Sequence, residues 1–582
     1  MMLKSLFRRL FGPRLGVADA GTVLALGEQS LAAGNHAAAA THFDQAWTLM
    51  AGDDPRRTAT ALRMARALKL DNDLDAAEKW FLRVLESEPA NAEALELLAF
   101  LHYNQSDAVS AQAVMQTRIA VRPSPGLALR SVLMGLPAIP ESAAEIAEVR
   151  ARYENALDRI LDSAPAPMAD PVTEVALTPF YLAYHGLNDR PLMEKLARAV
   201  RMSYAAPMHS VQGGADRGGR IRIGFVSTYF NNHTIARTTI GHIRDLPRDR
   251  FEVLVFAVAP GEGEMARRIA ACCDTWVPLP MDLAAVRNAI AGASLDVLFF
   301  ADIGMHPLTY YLAYSRLAPL QLSAWGHPVT SGLATIDAFV SAQAVEPEDA
   351  QGHYTEALWR LPAFFQCGYA RPALSGPRLG RAELGLPEGH LYACLQSEFK
   401  LHPDIDPAFA SILDRDPRGR LLLLRPAEPG RARRLERRFE RTLGAAAARI
   451  HYLPRMVSAQ FLHVVANADV MLDPFHFGGN ISTAEGFALG VPAVTLPSPF
   501  ARARFTAAMC REIGLDECIA ESAEDYAGRA VRLACDGDFR GEVVQKIAVR
   551  SGRLFERRDI TLALAQKLVE AVESLPPGAG RD

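Results

Sequence analysis

The run Leu472-Asp473-Pro474-Phe475-His476-Phe477-Gly478-Gly479-Asn480-Ile481-Ser482-Thr483-Ala484-Glu485-Gly486-Phe487 has the composition of an anion site. An apolar strand ends at Leu472 and a Gly-Gly turn follows. A helix is expected to begin near Ser482, with Glu485 three residues on, the spacing of a capping box. Glycines let the backbone come close to a phosphate, and a helix N-terminus offers N–H groups and about half a unit of positive charge. An ordinary capped helix after a tight turn has the same string, so both readings stay open on these residues alone. Lys400 adds a second component. It sits in Gln396-Ser397-Glu398-Phe399-Lys400-Leu401-His402-Pro403, just after the apolar run 391–395. A lysine at a strand's carboxyl end is a mobile cation suited to a diphosphate. The prediction is a nucleotide diphosphate between Lys400 and the turn 477–480.

Other candidates lie upstream. His233 follows the run Val226-Ser227-Thr228-Tyr229-Phe230-Asn231-Asn232 in a loop expected to face a cleft. A neutral imidazole there would contact the sugar or its phosphate, or act as a base; the alternative is a helix-capping loop turned by Asn231 and Asn232. Gly326-His327-Pro328-Val329-Thr330-Ser331-Gly332 is another Gly-bounded loop, in which His327 reads as structural. Asp404-Ile405-Asp406 looks like the metal-binding DxD of some glycosyltransferases, but prolines flank it and helix capping explains it more simply. No metal and no cofactor are expected.

The elements that position these residues are legible as patterns. Apolar runs at 221–227, 251–256, 296–300 and 320–325 alternate with helical segments such as 265–271 and 282–291. A second set lies at 391–395, 420–424, 450–453, 470–472 and 493–496. Apolar strands alternating with helices imply parallel sheets covered on both faces, with ligands at the carboxyl ends of the strands. Two such domains imply a cleft, and the amphipathic segment 559–575 is expected to cross back and tie the halves together. Earlier in the chain, Ala77, Phe81 and Pro89 recur 34 residues later as Ala111, Met115 and Pro123. Ala39 and Phe43 precede the first pair by 38 residues, which implies an insertion near Gly52-Asp53-Asp54-Pro55. A 34-residue period with small residues at helix crossings is the tetratricopeptide signature, and such arrays form concave grooves. The expected organisation is a tail at 1–19, about three repeats at 20–123, a helical connector with a Gly-rich linker at 124–219, an α/β domain at 220–375, and a second with a closing helix at 376–582.

Composition excludes several classes. A net charge of −4 over 582 residues makes no global case for nucleic-acid binding. The seven cysteines are scattered without zinc spacing, which reads as reduced thiols in the cytoplasm. No window approaches the ~20 apolar residues of a membrane span. The basic run Leu3-Lys4-Ser5-Leu6-Phe7-Arg8-Arg9-Leu10-Phe11 lacks a signal-peptide core and reads as a frayed helix rather than a membrane-surface one.

Together the motifs resemble the bacterial members of the O-linked N-acetylglucosamine transferase/SPINDLY family of protein glycosyltransferases. The resemblance rests on Ile221-Arg222-Ile223-Gly224-Phe225-Val226-Ser227 leading to His233, Ala318-Pro319-Leu320-Gln321 with Trp325-Gly326-His327-Pro328 and Thr330-Ser331-Gly332, then Gln396–Lys400, Ala468-Asp469-Val470-Met471-Leu472-Asp473 and Ala488-Leu489-Gly490-Val491-Pro492. It covers nearly the whole chain and implies tetratricopeptide repeats followed by a GT-B core of two Rossmann-like domains. It also implies inverting, metal-independent transfer of a sugar from a nucleotide donor such as UDP-GlcNAc to Ser or Thr of a protein. By position, Lys400 would neutralise the leaving diphosphate, Ser482 and Thr483 would contact phosphate, Glu485 would bind the ribose, and His233 matches a histidine proposed as base. Gly326, Thr330, Ser397, Gly478, Gly479 and Asn480 complete the donor-binding set. The chain departs from the animal enzymes at Asn480-Ile481-Ser482 (His-Thr-Thr there), at Glu485 (Asp), at Phe461 (a His on the uracil) and at Asp296 (a second active-site His). Base and sugar are therefore open. Alternatives are a flagellin glycosyltransferase using a nonulosonic acid on CMP, an enzyme acting on a small acceptor or glycan, and a non-catalytic repeat scaffold. The protein acceptor would lie in the repeat groove, with flagellin a candidate.

Overall fold

The computed structural model describes residues 19–206, 219–362 and 368–575. The basic run 3–11, all but the last residue of the Gly-rich linker's 212–219 stretch, and Cys367 lie outside the described residues. The chain divides into two compact units, one holding the repeat helices through Pro123 (with 428–430) and one holding the remainder.

The first unit contains three helix pairs: Ala20–Ala32 with His36–Leu49, Arg57–Leu70 with Leu74–Ser87, and Ala92–Asn104 with Ala108–Val121. Ala39, Ala77 and Ala111 are fully buried, as are Phe43, Phe81 and Met115 four residues on. The small residue allows close helix approach, and the bulky one, on the same face, fills the space beside it. A Cβ at Gly27 would stand 2.5 Å from the Phe43 ring, so the same logic holds one helix earlier. The turns are chemically specified. Asn72 and Ser106 adopt left-handed φ values of 64° and 65°. The next residues, Asp73 and Asp107, accept the amides of Ala76 and Ser110 as N-caps. The extra residues of the longer offset fall between Leu49 and Arg57.

The second unit carries two parallel sheets. Seven strands, β1 (Ile221–Ser227), β2 (Phe251–Val258), β3 (Thr275–Leu279), β4 (Val297–Phe300), β5 (Leu320–Ala324), β6 (Ala338–Ala342) and β7 (Ala357–Leu361), run in the order β3-β2-β1-β4-β5-β6-β7. Five more, β8 (His390–Cys394), β9 (Gly419–Leu424), β10 (Ile450–Leu453), β11 (Val470–Leu472) and β12 (Ala493–Val494), run β10-β9-β8-β11-β12. Every pairing is parallel. This is the two-domain Rossmann-like architecture expected from the alternating pattern. Three strands were not evident as apolar runs. β3 is an edge strand with Pro278, which an edge tolerates because a ladder donor is dispensable there. β6 is rich in Ala and Ser, and β7, at the other edge, is half-exposed.

Two further elements shape the second unit. Helices Pro125–Met134, Ala143–Leu161 and Arg190–Ser203 form the connector, and they are built into the second unit. Arg434 and Arg441, on helix Pro429–Leu443, pair with Glu145 and Glu141 of the connector at 2.7 and 2.8 Å. The terminal helix Arg558–Glu573 buries Ile560, Leu564 and Leu568 and sets Thr561 3.1 Å from His242 Nδ1 on helix Thr234–Asp245. The C-terminal segment thus returns to the first sheet domain. No helix among the described residues is long and apolar enough to cross a membrane.

Phe81 is fully buried in the repeat core with Ala39, Ala61, Ala77 and Leu98. Phe81→Ala is expected to cost ~3–5 kcal/mol of repeat stability, from lost transfer energy and the cavity left behind. Chemical denaturation of the full-length protein, followed in the transition assigned to the repeats, measures it.

Candidate functional site

The end of β11 and the helix Ile481–Ala488 enclose the turn 477–480. Lys400 reaches it from the short 3-10 turn Glu398–Lys400 that follows β8, the neighbour of β11. The Lys400 ammonium donates to the Gly478 carbonyl at 3.2 Å and to Gln396 Oε1 at 3.0 Å, and lies 4.9 Å from the Phe477 ring centre. Burial pushes its pKa down to about 8, against the nearby negative charge of Asp473, which favours the cation. The two components singled out in the sequence, Lys400 and the Gly-Gly turn, are in direct contact.

The turn is held from beneath by Asp473, whose buried carboxylate accepts the Gly479 amide at 2.6 Å and the Thr495 hydroxyl at 2.7 Å. Burial raises its pKa to about 6, still ionised at neutral pH. A Cβ on Gly478 would stand 2.7 Å from that carboxylate, and one on Gly479 would collide with Thr483 Oγ1. Both glycines are therefore required by packing. Their amides, however, are engaged internally: Gly478 donates to the Arg502 carbonyl at 2.8 Å and Gly479 to Asp473. The two glycines thus bring the backbone close without offering a free amide, and the open amides are those of the first turn of the helix. Ala484 makes the first bond back, to Asn480, so the amides of Ile481, Ser482 and Thr483 precede any carbonyl within the helix that they could reach.

The other candidate residues lie in distinct surroundings. No capping box forms: the N-cap is Asn480, without a side-chain cap bond. Glu485 turns away to accept the Tyr369 hydroxyl at 2.7 Å, with Arg237 at 3.9 Å, and burial raises its pKa. Ser482 Oγ accepts from Gln396 at 2.6 Å and faces the site, whereas Thr483 is buried against Thr506 at 3.1 Å. Thr330 is buried, and its hydroxyl donates to Glu356 at 2.5 Å, so it organises its own loop. Gly326 is explained by packing, because a Cβ there would collide with the Ala301 carbonyl. Ser397 is half-buried, and its carbonyl accepts the Lys400 amide at 2.9 Å, closing the turn that presents the lysine. Asp296 lies at the start of β4, away from the carboxyl ends, and accepts the Arg222 amide at 2.8 Å. Neither aspartate of Asp404-Ile405-Asp406 caps the following helix. Asp406 pairs with buried Arg438 at 3.0 Å, and Asp404 accepts from His476 at 2.9 Å. His402, Asp404 and His476 bring ligand atoms within 4.8 Å of one another, but His402 Nδ1 already accepts the Asp404 amide at 3.2 Å.

His233 sits at the carboxyl end of β1 as expected, but as an N-cap: its Nδ1 accepts the Ile235 amide at 3.2 Å. Burial lowers its pKa, so it is neutral at pH 7. With Nδ1 as acceptor, the proton of the neutral ring is assigned to Nε2, which makes that nitrogen a donor. His306, beyond β4, is held in the same way by the Leu308 amide at 3.1 Å. Tyr229 lies between them, 4.4 Å from the His233 ring and 6.4 Å from the His306 ring. Beneath them is Asp302, fully buried, bonded to the Thr228 hydroxyl at 2.9 Å, its pKa pushed up to about 7 by burial. Asp302 and His306 were missed in the sequence because the apolar run ahead of them shows where the strand ends but not which side chains turn inward.

The two sheet domains enclose a cavity of about 390 Å³ lined by Arg237, Met265, Arg268, Tyr369, Arg371 and Glu485. A smaller one of about 20 Å³ is lined by Gln396, Phe461, Met471, Asp473 and Ser482. The connector closes the site behind the turn. Tyr184 stacks on Phe477 at 4.6 Å and contacts Phe399 at 4.8 Å, while Phe180 stacks on buried His327 at 5.0 Å. Burial lowers the His327 pKa to about 3, consistent with a structural ring. Asp189 joins Arg150 at 2.6 Å to Arg502 at 3.1 Å, and Arg502 holds Gly478 through its carbonyl.

A tetratricopeptide-repeat model matches residues 30–101. The chain is 27% identical over 326 residues to the probable UDP-N-acetylglucosamine–peptide N-acetylglucosaminyltransferase SEC of Arabidopsis thaliana, covering 54% of this chain and 33% of that protein. It is 24% identical over 328 residues to SPINDLY of the same plant, covering 54% and 35%. It is 26% identical over 271 residues to the UDP-glucose:protein N-beta-glucosyltransferase of Actinobacillus pleuropneumoniae serotype 7, covering 46% and 43%. The match thus spans about a third of the length of the two plant relatives. Among solved structures, an O-GlcNAc transferase mutant from Thermobaculum terrenum superposes with a TM-score of 0.68 at 20% identity, covering 97% of this chain and all of that one, which establishes a shared fold. The model for glycosyl transferase family 41 matches residues 192–375 and 378–564, the whole stretch that holds Lys400, the turn and the facing histidines, and the chain belongs to that family.

Proposed function

We propose that the protein is a protein O-glycosyltransferase that moves a sugar from a nucleotide diphosphate donor to a Ser or Thr hydroxyl, with inversion and without a metal, in the cytoplasm. The observation that carries this reading is the Lys400 ammonium poised against the Gly478 carbonyl beside the N-terminus of helix Ile481–Ala488. As the bond from C1 to the phosphate oxygen breaks, negative charge grows on the leaving diphosphate. A fixed cation and a helix N-terminus stabilise that charge without reorganising, which is the effect that supplies the largest share of many enzymes' rate enhancement. Glu485, on the wall of the large cavity, would accept from the ribose hydroxyls. The Nε2–H groups of His233 and His306 would donate to the sugar or its phosphate rather than take the acceptor's proton. The relatives' names include N-acetylglucosamine and glucose donors, which leaves the sugar to experiment. Arg237, Arg268 and Arg371 around the cavity favour a second reading in which the donor carries an extra acidic group, as a nonulosonic acid does.

Purified protein offered UDP-GlcNAc, UDP-glucose and a CMP-nonulosonic acid, with intact mass of a co-expressed acceptor as readout, tests the function; transfer from none of them, with no mass increase, overturns it. Lys400→Ala is expected to reduce turnover by at least ~100-fold; near-normal activity would remove the diphosphate assignment. In the free enzyme the Lys400 cation is lost as pH rises through about 8, so kcat/KM for the donor is expected to fall above that pH. Lys400→Arg should move that alkaline limb upward. His233→Ala is expected to raise KM for the donor while retaining turnover. A loss as large as that of Lys400→Ala would assign His233 the role of base.

A further inference from the structure

Three side chains of different ligand chemistry converge at the end of the β8 sheet remote from Lys400. His390 opens β8, Asp416 follows helix Asp406–Arg415, and Cys535 closes helix Ala523–Cys535. His390 Nδ1 lies 2.7 Å from Asp416 Oδ2 and 3.5 Å from Cys535 Sγ, and the three atoms fall within 4.8 Å of one another. Both partners address the same ring nitrogen. A proton relay of the Ser-His-Asp kind uses opposite ring nitrogens. Nδ1 carries either one proton or one lone pair, so as a hydrogen bond it serves one of these two neighbours, and the thiol then bonds to Asp416 or Tyr392 instead. A cation at the point of convergence satisfies all three donors.

The surroundings fit. The Tyr392 hydroxyl donates to Asp416 Oδ2 at 2.8 Å and the Arg418 amide to Oδ1 at 3.0 Å, outer partners that orient the carboxylate.

We propose that His390, Asp416 and Cys535 bind a zinc ion that staples the first strand of the second sheet domain to the two helices packed beside it. Imidazole, carboxylate and thiolate are the ligands zinc takes, at about 2.0–2.3 Å in a tetrahedron. Such distances separate neighbouring ligand atoms by roughly 3.3–3.8 Å. The His390–Cys535 contact at 3.5 Å lies in that range, the 2.7 Å hydrogen bond between His390 and Asp416 has to open to admit the ion, and exposed Cys535 is free to adjust. Three protein ligands leave the fourth position to water. Binding forms the Zn–S bond and releases the thiol proton to solvent, and the aspartate and thiolate charges neutralise the ion. The site is remote from the donor-binding machinery, so its role is structural.

Cobalt(II) titrated into metal-stripped full-length protein is the test. One equivalent is expected to bind with a thiolate-to-cobalt charge-transfer band and tetrahedral d–d bands, and zinc is expected to displace it. Cys535→Ser, a near-isosteric change at an exposed position, should abolish the charge-transfer band and weaken binding at least about tenfold; His390→Ala should weaken it comparably. Zinc should raise Tm of the wild type and leave that of Cys535→Ser unchanged. Binding without a thiolate band, or with equal affinity in Cys535→Ser, would place the metal elsewhere, as on His402 and His476, and overturn the proposal, as would no binding at all.

Discussion

A single buried carboxylate organises the second sheet domain around the Gly-Gly turn. Asp473 lies beneath the 477–480 turn, and a buried charge is tolerated only when it is paired and hydrogen-bonded. Its partners come from three places: the Gly479 amide in the turn, the Thr495 hydroxyl just after β12, and the electrostatic complement of Lys400, presented after β8. The carboxyl ends of three adjacent strands are thus tied to one anion. The absence of Cβ atoms at Gly478 and Gly479 lets the backbone settle against it. Because the turn's own amides are engaged in this arrangement, the groups left to meet an anion are the helix N-terminus and the lysine.

The connector, which in sequence looks like a bridge between repeats and enzyme, is part of the catalytic unit. Tyr184 is stacked on Phe477, and Lys400 lies over the same ring. Arg502, buried, uses its carbonyl for Gly478 and its guanidinium for Asp189 and the Leu187 carbonyl. The position of the turn is therefore set jointly by the second sheet domain and by residues nearly 300 positions upstream. Thr178 reaches the other sheet domain in the same way, donating to the Gly304 carbonyl at 2.6 Å near His306. A site that stabilises developing charge depends on such prior positioning, since groups that must reorganise during the reaction return part of the benefit.

Beyond the carboxyl ends of β1 and β4 lie two imidazoles whose helix-capping bonds fix which ring nitrogen is left to donate. In both His233 and His306 the backbone takes Nδ1 as an acceptor and leaves Nε2 to donate. The capping bonds leave the Nε2 of each ring, including that of the candidate base His233, as a donor. Buried Asp302 sits behind them at the carboxyl end of β4.

The sequence alone determined what depends on local pattern. The repeat period, with Ala77 and Phe81 recurring as Ala111 and Met115, is legible because each copy must bury the same helix face. The strands at the centre of each sheet are legible because both of their faces are covered, which makes them continuous apolar runs. The proximity of Lys400 to the Gly-Gly turn followed from the same reasoning, since adjacent parallel strands present their ends together. Edge strands β3 and β7, one carrying a proline and the other half-exposed, lack that signature. Only the tertiary structure decided what each polar group bonds to. Thr330 was drawn to Glu356, Glu485 to Tyr369, and the turn amides to Asp473 and Arg502, through contacts made by residues distant in the chain. Cysteines without zinc spacing in sequence include one that meets His390 and Asp416 in space, 145 residues from the former. Residue type limits which bonds a side chain can form, but a hydrogen bond or ligand set is completed by whichever partner the packing of distant elements brings within about 3 Å.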